Sequence, residues 1–137
     1  MTVNKSELVI IRDSNPNDRN FIFSTWLKGL RYGNDFFGDI DSAPYYKHYH
    51  HFINAVLSKP DTTVKVACLK EDPEVILGYS VYRGDTVHWV QVKSAWRLIG
   101  IAKSLMPTQV TTVTHLTKTG RSILKKNPAV KFNPFSV

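Results

Sequence analysis

The chain has 137 residues, a formal net charge of +7 and a single cysteine, Cys68. That length carries one domain, residues 1–137, with one hydrophobic core, and excludes two cores of ordinary size. A lone cysteine excludes an intrachain disulfide and a thiolate metal site, and no apolar run reaches the roughly 18 residues that span a bilayer.

In chain order, Glu7 to Arg12, with Leu8-Val9-Ile10-Ile11 at its centre, reads as a first strand. Asp13 to Asp18 is turn and helix-cap chemistry, with short side-chain oxygens and a proline suited to a first helical turn. Phe21, Ile22, Trp26, Leu27 and Leu30 then recur on one helical face that ends near Gly33. Residues 33–44 read as a loop, and Tyr45 to Leu57 as a second helix closed by Pro60. Three strands follow, Thr63 to Leu69, Val75 to Tyr82 and Thr86 to Lys93, joined by short polar links that favour antiparallel hairpins. Cys68 lies within the first of these three strands and reads as a small buried hydrophobe. Beyond a further helix, Gln109 to Thr114 reads as a fifth strand parallel to the fourth, followed by a helix at Lys118 to Lys126 and a strand at Val130 to Phe135. The expected class is mixed α/β (α+β), with a mostly antiparallel sheet of about six strands and helices on both faces.

The link between the fourth strand and the next helix carries the chemistry. Arg97-Leu98-Ile99-Gly100-Ile101-Ala102, followed by Lys103, places a glycine and a small residue where a helix begins. The unpaired N–H groups and positive dipole end of a helix favour an anion there, and Arg97 and Lys103 add full charges. The same hexapeptide also suits the strand, turn and helix of a packed core. Charge is distributed to match an anionic ligand: all eleven acids lie at or before Asp85, and residues 86–137 hold Lys93, Arg97, Lys103, Lys118, Arg121, Lys125, Lys126 and Lys131. A solvated basic surface or a nucleic-acid partner accounts for the same asymmetry.

With Trp96 before Arg97 and the strand Thr86 to Lys93 upstream, the motif resembles the Q/R-x-x-G-x-G/A signature of the GNAT superfamily of CoA-dependent N-acyltransferases. The likeness is specific over residues 75–107 and topological elsewhere. It implies a GNAT-like fold and acetyl-CoA or another acyl-CoA as donor. The pantetheine arm would lie on Val90, Gln91 and Val92, and the pyrophosphate on the amides of Leu98, Ile99, Gly100, Ile101, Ala102 and Lys103 beside Arg97. The family's strand glutamate is absent, and His88 stands where some arylalkylamine acyltransferases place a histidine, with His115 as an alternative. An unperturbed imidazole pKa of about 6.5 suits a base. The family's leaving-group tyrosine is absent too, since the last tyrosine is Tyr82; Ser122, or the nearby Thr117 and Thr119, would stand in.

An acceptor pocket is expected from Trp26, Tyr32, Phe36, Phe37, Tyr45, Tyr46 and His48 to His51, with Asp35, Asp39 and Asp41 nearby; core packing explains most of the same rings. On a helix His48 and His51 are one turn apart and could pair as ligands, but no Cys, Asp or Glu at suitable spacing completes a tetrahedron, and no metal is expected. The implied activity is N-acylation, most simply N-acetylation, of a primary amine on a small molecule or peptide. A non-catalytic binding or host-interaction module and a GNAT-related nucleic-acid-modifying protein are the alternatives. The overall look resembles small members of the superfamily from tailed-phage genomes. With no signal-peptide pattern in Met1 to Lys5 and no membrane span, a cytoplasmic location is expected, the host cytoplasm for a phage protein.

Overall fold

The computed structural model describes residues 4–137, so Met1 to Val3, part of the segment read for a leader pattern, lie outside the described residues. Six strands form one sheet in the order of the chain: β1 (Val9–Asp13), β2 (Thr63–Leu69), β3 (Ile76–Arg83), β4 (Thr86–Val92), β5 (Thr112–Val113) and β6 (Lys131–Phe132). The first three pairings are antiparallel and the last two parallel. The short links after β2 and β3 reverse the chain, the helical crossovers after β4 and β5 return it in the same direction, and β1 meets β2 antiparallel across the long helical segment that separates them. The helices are α1 (Arg19–Tyr32), α2 (Asp35–Gly38), α3 (Ser42–Ser58), α4 (Ile101–Leu105) and α5 (Lys118–Lys125).

Alternation along β2 divides the core between the two faces of the sheet. Val66 and Cys68 join Tyr79, Val81 and Trp89 beneath Ile22, Trp26 and Leu30 of α1 and Tyr45, Ile53 and Val56 of α3. Ala67 faces the other way and meets Val92, Ile101 and Leu105, so α4 covers the opposite face. Trp26, Leu30 and Ile53 are fully buried, and each contributes about 2–3 kcal/mol of apolar burial.

Several expected elements have different limits, the first strand among them: residues 5–8 form a 3-10 turn, so β1 starts at Val9 rather than Glu7. The loop expected over 33–44 contains the single turn α2, and α3 starts at Ser42 because Pro44 sits in its first turn, where a missing N–H costs nothing. The helix after the glycine motif is only five residues long. Met106 is extended (ψ 153°) because Pro107 follows it and disfavours helical backbone at the preceding residue. β5 and β6 keep two residues each of longer expected strands. Pro134 cannot donate to a ladder, which stops β6 early.

One charged pair ties the first strand to the first helix. Asp18, 4% exposed, accepts two bonds from Arg12 (2.7 and 2.9 Å) and one from the N–H of Asn15 (2.8 Å). The same guanidinium donates to the Pro73 carbonyl at 2.9 Å, which brings in the β2–β3 hairpin. The Arg12 hydrogen bonds hold the Asp18 carboxyl below its ordinary pKa against the opposing effect of burial. Asp18→Ala leaves Arg12 uncompensated and is expected to cost about 3 kcal/mol in urea unfolding. A loss no larger than that of an exposed ion pair would contradict this role.

Candidate active site

The site begins with an irregularity in β4. Val81 pairs with Trp89 but Tyr82 pairs with Val87, so β4 carries one extra residue, His88, opposite β3. Such a bulge bends its strand and increases local twist. On the other side, β5 pairs only with Thr86 and Val87, and the N–H of Thr114 bonds the Val87 carbonyl at 3.1 Å. Past the bulge the two strands part, and residues 90–92 of β4 have no strand partner on that edge. Val90 and Gln91 are half-buried and Val92 is buried, which puts the three residues expected to hold the pantetheine arm along this open edge.

The phosphate loop follows directly. Arg97 turns back to donate from Nε to the Val92 carbonyl at 3.0 Å. Leu98 (φ 68°) and Gly100 (φ 88°) are both left-handed. The N–H groups of Leu98, Ile99, Gly100, Ile101, Ala102 and Lys103 have no acceptor among the described residues, the next amide, that of Ser104, being the first to bond back, to Gly100. A Cβ built on Gly100 meets nothing within 4 Å. Successive free amides around left-handed residues form an anion-binding concavity. Arg97 and Lys103 are exposed beside it, and its donors are loop amides more than those of the short α4. Lys5 supports the loop from outside, donating to the Ala95 carbonyl at 2.8 Å and lying 5.1 Å from the centre of the Trp96 ring.

The candidate catalytic residues are placed unequally. His88, expected on an open cleft face, is 2% exposed. Burial, followed by the charges of Arg83 and Lys59, lowers its pKa to about 4. Its Nδ1 lies 3.1 Å from Thr114 Oγ1, which in turn lies 2.9 Å from Nδ1 of half-buried His115. His115 is also held at about 4, by burial first and by His88 second. Ser122 is exposed on α5 and donates to the Lys118 carbonyl of its own helix, so its hydroxyl is occupied there. Thr117 caps the same helix by accepting from the N–H of Gly120.

The expected acceptor pocket is only partly realised. Trp26 and Tyr45 belong to the core, Tyr32 and Phe36 are exposed, and Phe37 packs on Tyr45 and Tyr49. His115 meets the rings of Phe52 (5.1 Å), Tyr49 and Trp26 (6.2 Å each). His48, His50 and His51 are exposed, and no group of three or more His, Cys, Asp or Glu comes together as a metal site among the described residues. No described helix is long and apolar enough to cross a membrane.

The fold has counterparts among solved structures. A predicted acetyltransferase from Clostridium acetobutylicum, solved with acetyl-CoA, aligns with a TM-score of 0.59 at 14% identity over 88% of each chain. An aminoglycoside acetyltransferase from an uncultured soil metagenomic sample gives 0.53 at 18% identity, covering 92% of this chain and 89% of its own. An acetyltransferase from Vibrio fischeri gives 0.50 at 18%, covering 89% and 90%. No protein-family model and no curated protein sequence matches the chain. The chain shares the fold of these solved acetyltransferases.

Proposed function

We propose that the protein is a CoA-dependent N-acyltransferase that moves an acetyl group from acetyl-CoA to a primary amine on a small molecule or peptide. The observation that carries this reading is the run of six free amides from Leu98 to Lys103, at an open Gly100, continuous with the unpaired edge of β4. The amides and the charges of Arg97 and Lys103 hold the pyrophosphate. Backbone groups of Val90, Gln91 and Val92 hold the arm between the parted strands. When bound, the donor supplies an activated thioester carbonyl, and the chain's part is to align the amine with it and accept the amine's proton. His88 and the groups bonded to it are the titratable set at that position.

The test is release of free thiol from acetyl-CoA in the presence of spermidine, tyramine or a lysine-containing peptide, with acylation confirmed by mass. Amine-dependent release with a matching acetylated product supports the enzyme. Tight CoA binding without turnover of any of these amines would overturn it in favour of a non-catalytic CoA-binding module. A nucleic-acid acceptor is a second reading, supported by the exposed cations of α5 and by exposed Phe132 and Phe135. It predicts single-strand binding that weakens steeply with salt.

A further inference from the structure

The burial of His88 leaves the acceptor nitrogen without direct access to it, and its neighbours offer a way round. Thr114 Oγ1 stands between two imidazole nitrogens, 3.1 Å from His88 Nδ1 and 2.9 Å from His115 Nδ1. Among the described residues this buried hydroxyl has no other partner, so its one hydrogen goes to one of these nitrogens and it accepts from the other. Two neutral rings bonded in this way hold opposite tautomers. Only one of the two arrangements leaves a lone pair on the outer nitrogen of His115. In it, His115 donates Nδ1–H to Thr114, and Thr114 donates to His88 Nδ1.

We infer that His115 takes the proton from the acceptor nitrogen at Nε2, and that Thr114 and His88 are positioning residues that fix its tautomer. This rests on the acyltransfer reading of the cleft. Its position supports it: Thr114 is 1% exposed and His88 2%, whereas His115 is half-buried, so His115 is the open end of the chain. The three residues sit where the bulge parts β4 from β5, next to the edge assigned to the thioester arm. The rings of Phe52, Tyr49 and Trp26 beside His115 give an apolar wall for the carbon skeleton of an amine.

The proton balance closes on His115 alone. The nitrogen lone pair forms the C–N bond, the C–S bond breaks with its electrons on sulfur, the proton leaves nitrogen for Nε2, and Nε2 returns it to sulfur. A ring with a pKa held at about 4 is a weak base toward a free ammonium. A nitrogen that has committed its lone pair to carbon is far more acidic, and the protonated ring is then a strong acid toward the thiolate. The absent tyrosine needs no replacement on this account.

Imidazole nitrogen shifts from long-range proton–nitrogen NMR at neutral pH test the arrangement. His115 is expected as the Nδ1–H tautomer and His88 as Nε2–H, a pattern kept in Thr114→Ser and lost in Thr114→Val. With the amine giving the fastest thiol release among the probes above, Thr114→Val is expected to lower kcat about 30-fold with KM within about twofold, and Thr114→Ser to stay within about threefold of wild type. An Nε2–H tautomer for His115 in the wild type, or an unchanged kcat in Thr114→Val, would overturn the assignment. The acyltransfer reading fails separately, through absent CoA binding in calorimetry. No thiol release from any amine overturns both.

Discussion

Replacing Gly100 by glutamate is expected to weaken CoA binding by roughly 100-fold or more in calorimetry while leaving a folded protein. Gly100 has φ 88° and open space where a Cβ would project. The new Cβ therefore meets no protein atom, and the cost to the fold is the left-handed backbone, about 1–2 kcal/mol. A carboxylate attached there is expected to compete with a phosphate for the free amides of 98–103. Two like charges about 4 Å apart near a protein surface repel by about 4 kcal/mol, more than the roughly 2.7 kcal/mol that a hundredfold loss requires. Gly100→Lys carries the same backbone strain with the opposite charge, and is expected to bind CoA within about tenfold of wild type. Equal losses in the two variants would show that bulk or unfolding, rather than charge at a phosphate site, is responsible.

Acidification is expected to destabilise the protein between pH 6.5 and about 4, the interval between the ordinary histidine pKa and the folded values of His88 and His115. In this interval the unfolded chain binds protons that the folded chain excludes, so stability falls as pH falls. A shift from 6.5 to about 4 corresponds to about 3 kcal/mol for each ring. Against a total stability of about 5–15 kcal/mol this is enough to move the urea midpoint far down or to unfold the protein. Asp18 acts in a separate window: its folded pKa is lowered from 3.8, so its contribution is present above that value and is lost only at still lower pH. Urea unfolding across the histidine window, with His88→Gln/His115→Gln alongside, checks the assignment. The double variant is expected to flatten the dependence, and an equally steep fall in both proteins would place its origin elsewhere.

The central segments of the fold were legible because local pattern and tertiary role agree there. Thr63 to Leu69 is a strand at its expected limits, and Trp26 and Leu30 lie buried on the helical face that their spacing indicates. The glycine turn between β4 and α4 was legible as well, since glycine, a small residue and flanking cations are local features. The short α4 was readable in principle from the Met106-Pro107 step, but the apolar stripe of Ile101, Leu105 and Met106 favoured a longer helix. Other features have no local signal. The bulge at His88 exists only in the register between β3 and β4, and the burial of His88 follows from it. The Lys5 contact with Ala95 joins residues ninety positions apart, and Thr114 reaches both His115 and the distant His88 only because β5 lies beside β4. Ser122 was sought as a substitute for a tyrosine by its place in the chain, but its hydroxyl bonds within α5.

The most direct measurement is calorimetric titration of the purified protein with acetyl-CoA and, separately, with CoA at low and moderate salt. Binding of one equivalent at about 10 μM or tighter, weakening modestly with salt, is the predicted result. No heat of binding at either salt would contradict the assignment of residues 97–103 as a phosphate cradle, and the acyltransfer account with it.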